Sequence, residues 1–203
     1  MQIEPMKGLE DVLLIKPDLH EDQRGYFYEV FNEREFNEKT GNKYDFHALQ
    51  ENESKSTTNV FRGLHFQNKP YEQAKLVRVL KGAVLDFAID IRKDSPTFGT
   101  GVCVLLTEEN KHQLFVPRGF AHGFWVVSTA IFEYKCDNYY NKESEGGIRW
   151  DDEDVKVIVG YRPDGTCRTQ SVQNVIDELN QKLGTRLKLS EKDLNRTTTL
   201  KDL

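Results

Sequence analysis

The chain has little cysteine, no long apolar run and no basic surplus. Its 203 residues include three widely spaced cysteines, Cys103, Cys136 and Cys167, with no CxxC pair. This usage predicts buried free thiols in a reducing compartment rather than a disulfide framework. No apolar stretch approaches the ~20 residues of a transmembrane helix, and the first residues lack the apolar region of a signal peptide. We therefore expect a cytoplasmic protein with no membrane partner.

The charge balance argues against a nucleic-acid partner. The formal net charge is −5, whereas domains that bind nucleic acid usually carry a basic surplus that displaces counterions from phosphates. A small phosphorylated ligand is compatible with this charge, because it needs only a few well-placed cations.

Several motifs of common enzyme classes are missing. No GxGxxG motif and no P-loop is present, so neither a dinucleotide nor ATP has a recognisable binding motif. No GxSxG nucleophile elbow occurs either. Cys103 and Cys136 fall inside strand patterns and are expected to be buried filler. Acid–base chemistry is the remaining class.

The hydrophobic pattern predicts a mainly β protein. Residues 83–91 alternate with period two, so that Leu85, Phe87 and Ile89 share one strand face and Asp86 lies on the other. Lys81-Gly82 predicts a hairpin turn before this strand. Further strands are predicted at 11–16, 26–31, 75–80, 101–107, 112–116, 123–127 and 131–136. Turns recur at the spacing of a β-sandwich or barrel.

Two helices are predicted outside the strands. Asn32 is a suitable N-cap for a short helix that ends near Gly41. Residues 171–183 have apolar side chains at helical spacing, with Ser171 as the N-cap and Gly184 as the stop signal. The polar tail, 194–203, is expected on the surface.

Two of the five histidines stand out. A lone histidine is more often structural than catalytic, but His65 lies in RGLHFQ beside Arg62, and His122 lies in the turn-rich segment VPRGFAHGF. Barrel proteins commonly bind ligands at such strand ends. Metal-binding barrels often carry an HxH pair, whose imidazoles point the same way, but Gln67 occupies the second position here. We therefore expect no metal.

Lys75 and Tyr134 complete a set for enolate chemistry. Taken singly, Lys75 is typical of a solvated strand end and Tyr134 of a core tyrosine. Together with His65 they supply a cation, a phenol and a base, which are the roles that proton transfer next to a ketone requires.

Long motifs in order resemble the dTDP-4-dehydrorhamnose 3,5-epimerase family of the cupin superfamily. They are DQRGYFYEVFN, ALQENESKS, RGLHFQ, KLVRVLKGAVLDFAIDIRKDSPTFG, ENKHQLFVPRGFAHGF, NYY, SEGGIRWDDE and LSEKD. The resemblance implies a single-domain cupin-type jelly-roll barrel over 1–203 and a homodimer that exchanges N-terminal strands. It also implies cofactor-free epimerisation at C3 and C5 of dTDP-4-dehydro-6-deoxy-D-glucose, in dTDP-rhamnose biosynthesis.

The resemblance also implies residue roles. His65 resembles the base, Asp193 its partner, Tyr134 the acid and Lys75 the cation beside the enolate. Residues implied to line the substrate are Arg24, Glu29, Gln50, Glu51, Asn52, Arg62, His122, Tyr140, Glu145 and Lys192, with Glu51 standing where aspartate is more usual.

One segment departs from the family pattern. Residues 160–187 are longer than the family connection and contain the predicted helix, so we expect an insertion that packs on the barrel; a lid or an interface element is the alternative. Because Asp193 follows this segment, its role depends on LSEKD rather than on spacing, and Asp152 or Asp154 is the fallback partner of His65.

Other functions remain open at this point. They are a single-centre epimerase or ketoisomerase on another nucleotide 4-keto sugar, a metal-dependent cupin, and a non-catalytic module that binds sugar nucleotides.

Overall fold

Strands make up most of the regular structure in the computed structural model, which describes residues 1–161 and 167–203. The strands are β1 (Gln2–Met6), β2 (Leu9–Lys16), β3 (His20–Asp22), β4 (Gly25–Phe27), β5 (Gln50–Ser56), β6 (Phe61–Gln67), β7 (Lys75–Asp90), β8 (Thr100–Thr107), β9 (Gln113–Val116), β10 (Phe120–Cys136), β11 (Glu145–Gly147), β12 (Lys156–Tyr161) and β13 (Cys167–Ser171). The helices are α1 (Glu33–Lys39), α2 (Val172–Leu183) and α3 (Glu191–Leu194), with short 3-10 turns at Lys142–Ser144 and Leu200–Asp202.

Eleven strands form one curled sheet. Its main path is β1-β2-β9-β7-β10-β6-β11, while β5 pairs with β10, and β8 joins β7 to the β12–β13 hairpin. Strands β3 and β4 form a separate two-stranded hairpin. The prediction of a mainly β, cupin-type barrel with few helices is confirmed.

The two longest strands correct the predicted hairpin. Strand β7 runs without a turn over 16 residues and β10 over 17, so Lys81-Gly82 is not a hairpin turn and 123–127 and 131–136 belong to one strand. The pairing of β7 with β10 shifts register near Ser128, where Gly82 has a φ of +78°. A side chain on Gly82 would meet the Ser128 carbonyl oxygen at 2.9 Å. The glycine therefore marks a bulge within a long strand.

The predicted strand over 26–31 is also wrong beyond Phe27. Only Gly25–Phe27 pairs in a ladder, with His20–Asp22. Phe31 instead packs edge-on against Phe46, with ring centroids 5.8 Å apart. The aromatic enrichment of this segment reflects core packing as well as strand pairing.

The sheet buries apolar residues on both faces. Val84 and Ala88 of β7 belong to the barrel interior, whereas Phe87 and Ile89 belong to a second cluster outside it. The predicted alternation in β7 is confirmed.

Helix α2 covers this second cluster. Its buried face carries Val172, Val175 and Ile176. Ser171 accepts a hydrogen bond from the Asn174 N–H at 3.1 Å, and Gly184 ends the helix in the left-handed conformation. The predicted helix and caps are confirmed, as is Asn32 as the N-cap of α1. In the described part of the chain, no helix is long and apolar enough to span a membrane.

The C-terminal tail corrects another expectation. Leu194 is exposed, but Leu200 is buried in the second cluster. The Leu200 N–H donates to Asp152 Oδ2 at 2.6 Å, and the Arg149 N–H donates to the Thr198 carbonyl. The prediction of a surface tail over 194–203 is therefore wrong at Leu200, because one apolar side chain anchors this end of the chain.

Candidate active site

A cavity of about 440 Å³ lies between the barrel strands and the segment that leads into α3. It is lined by Ser54, Val60, Phe61, Arg62, His65, Lys75, His122, Gly123, Phe124, Phe132, Tyr134, Lys188, Leu189, Ser190 and Asp193. A smaller cavity of about 250 Å³ shares His65, Lys75 and Tyr134 with it. The predicted base, cation and phenol therefore lie together where the two cavities adjoin.

Close contact between β6 and β10 positions His65. His65 is directly opposite His122 across this strand pair. Gly63 has a φ of +129°, and a side chain on it would meet the Gly123 Cα at 2.5 Å. Two residues without side chains thus let the strands approach closely beside the paired histidines.

Asp193 is in direct contact with His65. His65 Nε2 lies 2.6 Å from Asp193 Oδ1, and the histidine side chain is 29% exposed against 4% for the aspartate. An ionised carboxylate only accepts hydrogen bonds, so Nε2 is assigned the proton and Nδ1 the lone pair. His65 can therefore act as a base through Nδ1.

The surroundings of Asp193 keep it ionised. Burial disfavours the charged form, but hydrogen bonds from His65 and Ser190 outweigh this and hold the pKa of Asp193 below its usual range. Ser190 Oγ donates to Asp193 Oδ2 at 2.9 Å and accepts from the Asp193 N–H at 3.1 Å. The fallback partners are engaged elsewhere: Asp152 accepts from Leu200, and Asp154 pairs with Lys201 at 2.7 Å.

Lys75 and Tyr134 form the second half of the site. Lys75 Nζ lies 5.8 Å from the centroid of the Tyr134 ring, and both residues are half-buried. Burial lowers the pKa of Lys75 and raises that of Tyr134. The phenol is therefore protonated at neutral pH. Lys75 lines a cavity, so the solvated strand end considered for it from the sequence is wrong.

Asp86 is the buried group of this region that sequence reasoning missed. His122 Nε2 lies 2.9 and 3.0 Å from its two carboxylate oxygens, and both residues are buried. Burial raises the pKa of Asp86, while His122 opposes that rise. The signal was present in the sequence, since Asp86 stands between the apolar residues Val84 and Ala88 on one strand face.

Polar residues line the smaller cavity and are connected by hydrogen bonds. Gln50 donates to Asn52 at 3.0 Å and accepts from the Tyr140 N–H at 3.0 Å. The Tyr140 hydroxyl donates to Glu145 at 2.8 Å, and Lys192 forms an ion pair with the same carboxylate.

Comparison with known proteins identifies the family. The family model described as dTDP-4-dehydrorhamnose 3,5-epimerase matches residues 6–202. The chain belongs to the dTDP-4-dehydrorhamnose 3,5-epimerase family. It is 51% identical to the epimerase of Shigella flexneri over 150 residues, which are 73% of this chain and 82% of that protein.

Solved structures agree with this assignment. The epimerase of Elizabethkingia anophelis is 43% identical with a TM-score of 0.79, over 100% of this chain and 97% of that one. The dTDP-6-deoxy-D-glucose-3,5-epimerase of Legionella pneumophila, solved in complex with dTDP-4-keto-L-rhamnose, is 37% identical with a TM-score of 0.79, over 98% and 93% of the two chains. An epimerase, and hence an isomerase, is the class of enzyme to which the chain belongs.

Four residues implied by the family resemblance do not line the cavities of this single chain. One of them, Lys192, meets the smaller cavity only through its ion pair with Glu145. Glu51 points to the opposite side of β5 from Gln50 and Asn52 and pairs with Lys135. The alternation of side chains along β5 explains this difference.

The other two lie in or near the β3–β4 hairpin. Arg24 is 84% exposed and pairs with Asp22 at 2.5 Å, while Glu29 accepts from the Asn32 amide at 3.3 Å. Within one chain of this epimerase, neither reaches the site.

Residues 1–161 and 167–203 contain no group of three histidine, cysteine or acidic residues that is arranged to hold a metal ion.

Proposed function

We propose that the chain inverts C3 and C5 of dTDP-4-dehydro-6-deoxy-D-glucose to give dTDP-4-dehydro-L-rhamnose, by proton abstraction and reprotonation through an enolate. The observation that carries this proposal is the shared cavity in which the His65–Asp193 pair meets Lys75 and Tyr134. The printed names of the related epimerases, and the keto sugar bound by the Legionella pneumophila enzyme, support the choice of substrate.

Proton removal requires more than a histidine. A carbon acid next to a ketone is about a dozen pKa units weaker than imidazolium, a gap of roughly 16 kcal/mol. Asp193 stabilises the imidazolium that forms on His65 and fixes the nitrogen that accepts the proton. Lys75, which is half-buried in the cavity wall, provides positive charge for the enolate oxygen, and such an interaction is stronger there than in bulk water.

Inversion requires a second group. If His65 alone returned the proton, it would return it to the face from which the proton came. Tyr134 is the donor we assign to the opposite face, because burial raises its pKa and keeps the phenol protonated. The carbanionic carbon is basic enough to take a proton from a phenol.

The remaining polar residues are assigned to the nucleotide and its phosphates. Arg62 lines the larger cavity. Its Nε donates to Ser56 Oγ at 2.9 Å and its Nη2 to the Lys55 carbonyl at 3.5 Å, which leaves Nη1 for an anion. Tyr140 lines the smaller cavity. Lys192 forms an ion pair with Glu145, which also lines that cavity. Binding energy from the diphosphate lowers the barrier when it holds the sugar ring against His65.

A homodimer is the assembly we assign to this enzyme. On the β3–β4 hairpin, Tyr26 is 55% exposed and Phe27 is 72% exposed, and adjacent exposed aromatic side chains are typical of a protein contact. Exchange of the N-terminal segment that contains this hairpin and the following Glu29 would bring Arg24 and Glu29 to the partner's cavity. Light scattering is expected to give twice the 23.6 kDa mass of one chain, and a single-chain mass contradicts the dimer.

The free thiols Cys103 and Cys136 suit a cytoplasmic enzyme. We also regard 160–187 as an insertion that packs α2 on the barrel.

Turnover on a panel of nucleotide 4-keto sugars tests the function. We expect dTDP-4-dehydro-6-deoxy-D-glucose to have the highest kcat/KM of the panel. A higher value for another nucleotide or sugar would change the substrate, and binding without turnover of any sugar would indicate a non-catalytic module.

A further inference from the structure

A fully buried carboxylate lies beside the cavity and has no part in the reaction outlined above. Asp86 stands in β7, opposite Phe124 of β10, on the strand face that also carries Val84 and Ala88 of the barrel interior. None of its surface is exposed. A carboxylate is costly to remove from water unless it is paired and hydrogen-bonded. The free-energy cost of burying Asp86 must therefore be offset by the groups that it contacts.

His122 is the first partner. Its Nε2 lies 2.9 and 3.0 Å from the two oxygens of Asp86. Because an ionised carboxylate only accepts, Nε2 is assigned the proton, and Nδ1 is left as the nitrogen that the cavity can use. The ring is further held by Phe132, which lies nearly parallel to it at 6.2 Å between centroids.

Lys75 is the second group that Asp86 affects. Burial lowers the pKa of Lys75, and charge on Cys136, Asp86 and Glu145 opposes that change. Burial raises the pKa of Cys136 to about 11, so this thiol is neutral at neutral pH. Glu145 already forms an ion pair with Lys192. Asp86 is therefore the remaining acidic group that acts to raise the pKa of Lys75.

The pKa of Asp86 depends on the same neighbouring groups. His122 and Lys75 favour its charged form, whereas burial opposes it. Cys103 of β8 is the remaining titratable neighbour, and burial raises its pKa to about 12, so it carries no charge at neutral pH. Tyr134, which lies against Lys75, is also neutral.

We propose that Asp86 is a positioning residue of the active site: it fixes the His122 ring with Nε2 turned towards it, and it supplies negative charge next to the cavity that His122 shares with Lys75. This role rests on the proposed epimerisation, since it serves the anionic intermediate. Asp86 itself lines neither cavity and acts only through the other two residues.

Asp86→Asn in the full-length enzyme is the test. Asparagine keeps the volume and one acceptor for His122 but removes the charge. We expect kcat at neutral pH to fall by about 10²-fold, the loss typical of a weakened oxyanion contact, with a much smaller change in KM. The alkaline limb of the kcat profile is expected at lower pH, because Lys75 then loses its proton more readily. An unchanged kcat and an unchanged alkaline limb would overturn the proposal.

Asp90→Asn is the matched control. Asp90 is equally buried, stands four residues further along β7 on the same face, and is held by Arg92, Ser95 and Thr97 outside the cavities. This variant is expected to change thermal stability without moving the alkaline limb. An equal movement in both variants would mean that any buried aspartate of β7 has this effect, and it would overturn the specific role of Asp86.

A measurement on the unmodified protein covers the case in which Asp86→Asn does not fold. Nitrogen-15 NMR of the histidine side chains is expected to show His122 protonated at Nε2 at neutral pH. A His122 that carries its proton only on Nδ1 would overturn the proposal. Because this signal needs no substrate, a parent enzyme that shows the Nε2 proton but no turnover would contradict the proposed function instead.

Discussion

Two histidine–aspartate pairs lie at the same cavity and differ in exposure. His65 is 29% exposed and contacts one oxygen of Asp193, which is 128 residues away in the chain. His122 is 8% exposed and contacts both oxygens of Asp86, which is wholly buried. An imidazole that takes a proton from a substrate must be accessible to that substrate. An imidazole that only positions neighbouring groups can be buried. The difference supports the proposal that the first pair contains the base and the second pair has a supporting role.

The two carboxylates differ in the same way. Hydrogen bonds from His65 and Ser190 hold the pKa of Asp193 below its usual range, whereas burial raises the pKa of Asp86. Asp193 is therefore stabilised by its surroundings in the charged state. Burial disfavours the charged form of Asp86, which is the pattern expected of a group retained for activity rather than stability.

Replacement of the two histidines separates their roles most strongly. His65→Ala removes the base, so kcat/KM is expected to fall by at least about 100-fold, the low end for a general base. His122→Ala keeps the base and is expected to lose less. Steady-state kinetics on both variants measure the difference, with His47→Ala as a control at an exposed position outside both cavities. A greater loss in His122→Ala would reverse the two assignments.

Tyr134→Phe tests whether proton removal and proton return occur on different groups. The variant retains His65 and Asp193, so exchange of substrate protons with solvent is expected to continue. Net inversion is expected to fall by at least about tenfold, because the phenol that donates to the other face is gone. Proton NMR in D₂O measures both rates in one sample. Equal losses of exchange and inversion would contradict the separate roles.

Thermal unfolding compares the two carboxylates directly. The lowered pKa of Asp193 contributes stability above the ordinary carboxyl value of about 3.9, and this contribution is lost as the pH falls through the lower folded value. Asp193→Asn is therefore expected to lower Tm at pH 7 by roughly 2–4 °C, the shift for about 1 kcal/mol in a domain of this size. The raised pKa of Asp86 has the opposite sign, so Asp86→Asn is not expected to lower Tm at pH 7.

Circular dichroism melts at pH 7 and near pH 3 follow both variants. The deficit of Asp193→Asn is expected to shrink at the lower pH. A larger loss of Tm in Asp86→Asn than in Asp193→Asn would contradict the comparison of the carboxylates.

The sequence predicted the parts of this site that lie on regular strands or in long motifs. Period-two alternation predicts strands, and RGLHFQ predicts a polar strand end with His65. The contact between His65 and Asp193 spans 128 residues, and only the LSEKD motif pointed to it. No local sequence pattern could replace that motif, because the position of Asp193 depends on long-range contacts. These are the packing of α2 on the second cluster and the pairing of Lys188 with Val60.

Other features depend on three-dimensional contacts that local signals misrepresent. Lys81-Gly82 has the composition of a turn, yet β7 continues through these residues, because its pairing with β10 accommodates them as a bulge. Glu51 lies in a motif of site residues, but strand alternation turns it towards Lys135. Asp86 was visible in the sequence as a carboxylate between Val84 and Ala88, but only its contact with His122 in the fold shows what it does.

Solvent deuterium in the product tests the proposed double inversion most directly. The parent enzyme is incubated with dTDP-4-dehydro-6-deoxy-D-glucose in D₂O, and NMR follows C3 and C5 over time. We predict deuterium and inverted configuration at both carbons, with His65→Ala reducing both together. Deuterium and inversion at a single carbon would contradict the double epimerisation, and full exchange in His65→Ala would contradict His65 as the base.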